Sequence, residues 1–183
     1  MAGTGWIHEK TGGPGNPASL GGLLPRSGSP PGVLYLNTVY RTFGDHINNL
    51  ERPPNGTIRG MPIAPSSPCP CGRPPAYARC CGRWHAGPQA LQAPTAEDLM
   101  RSRYSAFAGG LLGYLSDTWH PSTRPAVIEP LPDGLRWLGL DVRRHVQQDA
   151  DHAIVEFVAR SKLGGKAERL HETSRLCTEV HRR

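Results

Sequence analysis

The chain has 183 residues, a formal net charge of +6 at pH 7 and 37% hydrophobic residues, which is enough for one ordinary domain with small additions. No apolar run approaches the roughly 20 residues that a transmembrane helix needs, so we interpret the chain as a soluble protein without membrane spans. The positive charge is mild and dispersed, and by itself it does not identify a nucleic-acid-binding protein.

Residues 1–60 form a segment rich in glycine and proline. It contains twelve Gly and seven Pro, which interrupt regular structure, so we expect this segment to be disordered. Within it, Val33–Phe43 has strand-like content, but an isolated strand cannot bury itself. The segment opens without the charged and apolar regions of an export signal, which favours a cytoplasmic protein.

Four of the five cysteines lie within thirteen residues, in the run CPCGRPPAYARCCGRWH. The spacing C-x-C-x8-C-C brings two close pairs of sulfur ligands together across a short turn; the four are Cys69, Cys71, Cys80 and Cys81. Four thiolates complete the tetrahedral shell that Zn²⁺ prefers, so the run predicts a zinc knuckle over residues 61–86. Two disulfides or four unliganded thiols are the alternatives, and disulfides are typical of secreted chains.

Arginine and aromatic side chains surround the cysteines. They are Arg73, Tyr77, Arg79, Arg83 and Trp84. The arginines would offset the negative charge of the thiolates, and single-strand nucleic-acid binders combine the same residue types for phosphate contact and base stacking. The five residues are therefore a candidate binding surface for RNA or an acidic protein. The alternative is that they serve only the stability of the knuckle.

A linker and then two short helices are predicted after the knuckle. Thr95 opens the first helix with an approximate capping box completed by Asp98, and Gly109-Gly110 ends it. The apolar face repeats at spacings of four and three residues, at Met100, Tyr104, Phe107 and Leu111. A second helix follows with the same periodicity and closes before Pro121, so the two helices should pack as a hairpin.

The rest of the chain has the alternation of strands. In the first predicted strand one face carries Leu138, Leu140, Val142 and Val146. In the second, Val155, Phe157 and Ala159 point away from the face that carries Ile154 and Val158. Gly164-Gly165 suits a hairpin turn before a third, more polar strand over 167–176. Helices followed by a strand meander predict an α+β domain over residues 87–183, with its helices on one sheet face.

The cysteine run is similar to the SEC-C zinc motif, which is found at the C-terminal tail of the SecA translocation ATPase, with Cys81 at the last ligand position. The stretches LMRSRYSAF at Leu99–Phe107, TWHPSTRP at Thr118–Pro125 and HETSR at His171–Arg175 extend the likeness, and together they resemble the YchJ family. That family joins a SEC-C motif to a nuclear-transport-factor-two-like domain. The resemblance implies a curved antiparallel sheet that wraps helices to make a cone.

Both ends of the chain depart from the family pattern. Members typically start just before the cysteines, so we interpret the residues before Met61 as an additional segment. After HETSR they continue through a further aromatic strand, whereas this chain reads LCTEVHRR. We therefore expect the last strand of the domain to be missing and the sheet to have an exposed edge.

Two classes of function remain open. The first is a non-catalytic adaptor whose zinc knuckle docks a protein or RNA partner, and we favour it because the resemblance implies that SEC-C motifs serve as interaction modules. The second is a small-molecule-binding protein or enzyme that uses the cone pocket. Its candidate residues are Arg103, Tyr104, Trp119, His120 and His171. These form no recognisable nucleophile–base set, and His171 alternates with Glu172 on a strand, so both cannot enter one pocket.

Overall fold

A computed structural model describes residues 34–36 and 62–178 of the chain. After a single turn of 3-10 helix at Tyr77–Arg79, the helices are α1 (Gly82–His85), α2 (Ala96–Gly109) and α3 (Leu112–Asp117). The strands are β1 (Leu34–Leu36), β2 (Arg136–Gln147), β3 (His152–Leu163) and β4 (Lys166–Thr178). Across these ranges, no helix combines the length and apolar character that a membrane span requires.

The strands form one antiparallel sheet in the order β1-β4-β3-β2. Helix α2 packs on one face of this sheet, with Met100 and Phe107 in the same buried core as Val155 and Phe157 of β3. Along β3, Val155, Phe157 and Ala159 face this core as predicted, and Val158 on the other face is buried as well. The expected α+β architecture, with helices on one face of a strand meander, is confirmed.

Helix α2 begins and ends where the sequence predicts. The Thr95 side chain accepts a hydrogen bond from the backbone N–H of Asp98 at 3.1 Å, which satisfies one of the donors that a helix start leaves open. Gly110 ends the helix in the left-handed conformation at φ 66°, which a residue without a Cβ adopts at little cost. Helix α3 follows at once, so the two helices make the predicted hairpin.

The predicted face of β2 is wrong at two positions, Leu138 and Val146. The pairing of β2 with β3 shifts register between Trp137 and Gly139 and again between Val142 and Arg144. Each shift inserts one extra residue and reverses which face the following residues occupy. Leu138 is consequently 50% exposed, and Val146 stands opposite Ile154 on the face away from the helices.

Strand β1 pairs with the edge of β4 opposite Leu176, Cys177 and Thr178. The described part of the strand-like run, Leu34–Leu36, is therefore not isolated, because a sheet edge offers it unpaired backbone groups. The edge that we expected to be exposed is covered over these three residues. For the remainder of residues 1–60, the prediction of disorder lies outside the described part of the chain.

Candidate metal centre

The four clustered cysteines converge in the structure. Their sulfur atoms all lie within 4.8 Å of one another, and all four residues are buried. They are Cys69, Cys71, Cys80 and Cys81. No disulfide joins them, which leaves the thiols as a set of four donors that could hold a metal ion.

Two glycines allow the backbone to turn tightly enough for this convergence. Gly72 has φ +81°, a conformation that side chains rarely adopt, and its N–H donates to the carbonyl of Cys69 at 3.0 Å. Gly82 lies so close to Tyr77 that an added Cβ would stand 2.7 Å from the Tyr77 carbonyl oxygen. The first glycine closes the loop around Cys69 and Cys71, and the second lets α1 start beside the second cysteine pair.

The thiols influence one another strongly because they share a buried space. Hydrogen bonds from Cys71 and Cys81 lower the pKa of Cys69 far below its ordinary value, which favours a thiolate at that position. The same interactions raise the pKa of Cys71 to about 12 and raise that of Cys81 further. The cluster therefore accommodates one negative charge readily, and a bound cation would be needed to stabilise more.

Helix α2 holds the cysteine cluster from the other side. The Arg101 guanidinium donates to the carbonyl oxygen of Cys71 at 3.0 Å and to the carboxylate of Glu97 at 2.7 Å. One turn further along, the fully buried hydroxyl of Ser105 lies 3.6 Å from the sulfur of Cys69. The cysteines are thus fixed to the same helix that packs on the sheet.

Arg73 also connects the knuckle to α2, where carboxylates neutralise its positive charge. Its guanidinium forms ion pairs with the carboxylates of Glu97 and Asp98 in the first helical turn. These contacts leave it unavailable as a free cation for an external partner.

His85 connects the end of α1 to α2. Its Nε2 lies 2.9 Å from the carbonyl oxygen of Ser102, which can only accept, so Nε2 carries the proton. Its Nδ1 therefore accepts from the hydroxyl of Tyr77 at 2.6 Å. Burial lowers the pKa of His85, in keeping with a neutral ring that supports the knuckle from outside the set of four sulfurs.

Of the five predicted partner-binding residues, two are exposed. Arg79 and Arg83 face solvent, and the Arg83 guanidinium lies 4.2 Å from the centre of the Trp84 ring. Trp84 itself is 7% exposed and belongs to the core, while Tyr77 is half-buried against His85. The structure therefore reduces the accessible part of this surface to two arginines.

The predicted pocket residues divide between the two faces of the sheet. Four of them are buried on the helix side: Arg103, Tyr104, Trp119 and His120. His171 is exposed on the opposite face, where its Nε2 lies 2.7 Å from a carboxylate oxygen of Glu156. It is not part of any site with the other four. Arg103 is fully buried and donates to the Leu115 carbonyl.

Two further polar residues of the sheet, Glu172 and His145, face inward and are partly buried. Glu172 is turned inward, as its alternation with His171 predicts, and it accepts a hydrogen bond from Ser174 at 2.9 Å. His145 was missed, because the bulges of β2 turn it inward opposite Val155, and alternation from Leu138 places it outward. No local sequence signal marks the second bulge.

An open recess of about 360 Å³ lies beside the knuckle at the start of β2. Its lining mixes polar and apolar surface and comprises Pro70, Tyr104, Ala108, Leu135, Arg136, Trp137, Leu138 and Gly139. Burial raises the pKa of Tyr104 to about 12, so its hydroxyl remains protonated at neutral pH. Of the residues predicted to form a pocket, Tyr104 alone lines this recess.

Comparison with known proteins gives consistent matches. A family model described as the middle NTF2-like domain of YchJ matches residues 95–182. A UPF0225 protein of Bordetella parapertussis is 59% identical over 124 residues, covering 67% of this chain and 93% of the relative. A UPF0225 protein of Methylibium petroleiphilum is 64% identical over 115 residues, covering 63% and 82%. The solution structure of a SEC-C motif containing protein from Rhodopseudomonas palustris aligns with TM-score 0.50 and 31% identity, over 58% of this chain and 85% of the other.

We predict that Arg101→Ala lowers the free energy of unfolding by about 2 kcal/mol, because it removes charge-assisted hydrogen bonds to Cys71 and Glu97. Urea denaturation of the intact chain measures this. Arg143→Ala is the matched control: its half-exposed guanidinium pairs only with nearby Asp141 in the described residues, and the expected change is below about 0.5 kcal/mol. Equal effects of the two variants would contradict the anchoring role of Arg101.

We predict that Glu172→Gln stabilises the protein at pH 7. Burial raises the pKa of Glu172, with Ser174 and Arg103 acting in the opposite direction. The folded state therefore binds this proton more tightly than the unfolded chain, and ionisation costs stability as pH rises through the raised pKa. The gain should disappear below the ordinary carboxyl pKa of 4.5, where both states hold the proton.

Unfolding free energies measured between pH 4 and pH 8 test this dependence, with exposed Glu129→Gln as a control that should show no such trend. A loss of stability in Glu172→Gln at pH 7 would mean that the carboxylate gains more from Arg103 than burial costs it.

Proposed function

The chain belongs to the YchJ (UPF0225) family, and on that premise we propose that its four cysteines hold a structural zinc ion in a non-catalytic interaction protein. The observation that carries the proposal is the convergence of four buried sulfurs within 4.8 Å. A zinc ion bound there would supply the positive charge that lets all four thiols ionise together.

The donor set fits zinc in both chemistry and size. A regular tetrahedron with zinc–sulfur bonds of about 2.3 Å separates its sulfurs by about 3.8 Å. The sulfurs of Cys71 and Cys80 are 3.6 Å apart, close to that value. Four protein ligands leave no open position on the ion, which is typical of a structural rather than a catalytic zinc site.

We further propose that the zinc knuckle docks an acidic surface of a partner protein. Arg79 and Arg83 are its exposed cations. The contact of Arg83 with the Trp84 ring limits the motion of one of them, which reduces the entropy lost on binding. Two cations and a buried tryptophan suit a small acidic patch better than a stacked nucleic acid, because they offer no exposed ring.

We predict that the protein purified without chelator carries one zinc per chain and that Cys80→Ala loses it. Removing one sulfur opens the shell and leaves three ligands of a four-coordinate site. Elemental analysis and the rate of thiol labelling before and after chelation measure this. Cys177→Ala is the matched control, since Cys177 is a buried cysteine outside the cluster and should leave the zinc content unchanged. Full-length protein without metal, or metal retained by Cys80→Ala, would overturn the zinc proposal.

We predict that Arg79→Glu/Arg83→Glu abolishes capture of an acidic partner protein while retaining zinc. Affinity capture from the native source, followed by mass spectrometry and reconstitution with the purified partner, measures this. Arg124→Glu/Arg143→Glu is the control with the same change of charge at exposed positions elsewhere. The proposal fails if every partner captured by the wild type is captured equally by the Arg79/Arg83 variant.

A further inference from the structure

The sheet register places four cations side by side on the face away from the helices. Arg160 of β3 stands directly opposite Arg169 of β4, and in the next row Lys162 of β3 stands opposite Arg136 of β2. Side chains that are directly opposite share a face, with strands about 4.8 Å apart and alternate residues about 6.7 Å apart. We call Arg136, Arg160, Lys162 and Arg169 the outer cationic cluster.

This arrangement opposes the stability of the sheet. Like charges directly across two strands repel, whereas opposite charges there attract. Elsewhere on the same face the charges follow the favourable pattern. Glu156 of β3 pairs with His171 of β4 and stands opposite Arg144 of β2. All four members of the outer cationic cluster are exposed, and in the described part of the chain none forms an ion pair. Their charge is available to an external polyanion.

A recess lined by both polar and apolar surface adjoins the cluster at Arg136. Arg136 lines the recess of about 360 Å³ described above, together with Trp137 and the half-exposed Leu138. A flat bilayer surface does not fill a recess, and a duplex keeps its bases stacked inside. A single strand presents unstacked bases that enter such a recess while its phosphates contact neighbouring cations.

We propose that the outer cationic cluster and this recess bind a single-stranded nucleic acid. Arg160, Lys162 and Arg169 contact successive phosphates, and Arg136 directs the strand towards the recess, where Leu138 and Trp137 contact a base. The pairing of the strands creates this surface, and it does not include Arg79 and Arg83 of the knuckle. Binding of the nucleic acid and docking of an acidic protein are therefore independent.

The test uses the zinc-loaded full chain and a fluorescein-labelled single-stranded RNA of mixed sequence, about 12 nucleotides long, titrated between about 50 and about 200 mM salt. Arg160→Gln/Arg169→Gln is expected to weaken binding at the lowest salt by about tenfold. For this variant, the slope of the logarithm of the binding constant against the logarithm of salt concentration should be shallower by about 1.4, which is the contribution of two phosphate contacts. Leu138→Ala should weaken binding without changing the slope, because it removes an apolar contact.

Arg124→Gln/Arg143→Gln removes the same charge elsewhere and should bind like the wild type. The outer-cluster variant should also unfold at a higher temperature than the wild type, because the repulsion is relieved; a lower temperature would overturn the repulsion argument. If both double variants lose RNA affinity equally, the effect depends only on the net charge of the protein, and the proposal is overturned.

Duplex RNA and vesicles containing phosphatidylserine distinguish the remaining partners. Binding of either as tightly as the single strand, with the same dependence on Arg160 and Arg169, would overturn the proposal. A single-stranded DNA of the same sequence that binds equally well supports it, since phosphates and bases are common to both. Arg79→Glu/Arg83→Glu should leave RNA affinity unchanged, so failure of this proposal and failure of the knuckle proposal are separately visible.

Discussion

Helix α2 packs against the cysteine cluster on one side and against the sheet on the other. The rest of the structure depends on this double contact. One side of α2 supplies Arg101 to the Cys71 carbonyl and Ser105 to the Cys69 sulfur. The other side supplies Met100 and Phe107 to the core against β3. A knuckle of this size cannot bury a core of its own, so its geometry relies on a helix that another layer already holds in place.

Buried polar contacts join helix α3 to α2, in addition to the apolar core that the two helices share. The guanidinium of Arg103 donates to the Leu115 carbonyl at 2.9 Å and to the Thr118 hydroxyl at 2.6 Å, and the hydroxyls of Ser102 and Tyr114 lie 2.7 Å apart. Such contacts gain little net energy over hydration, but each is costly to leave unmade. They therefore specify one orientation of the helix pair more than they add stability. A buried Arg103 is consistent with this structural role.

Predictions from the sequence are correct where interactions between neighbouring residues decide the structure, and wrong where contacts between distant segments decide it. The N-cap at Thr95, the end at Gly110 and the inward face of β3 depend on neighbouring residues, and the structure confirms them. The face of β2 depends on bulges that form against another strand, and Leu138 and Val146 were placed on the wrong side. The pairing of β1 with β4 joins parts of the chain that are far apart in sequence, and no local pattern encodes it.

The sequence by itself determined the cysteine cluster, the helix boundaries and the α+β class, because spacing, capping and periodicity act over a few residues. It also placed several arginines around the cysteines. Tertiary structure decided which charges are available. Arg73 forms ion pairs with carboxylates of α2, whereas Arg160 and Arg169 lie side by side only because β3 and β4 pair in one register. The positions of charged residues along the chain can be read from the sequence. The electrostatic potential at the protein surface depends instead on which residues, distant in sequence, the fold places side by side.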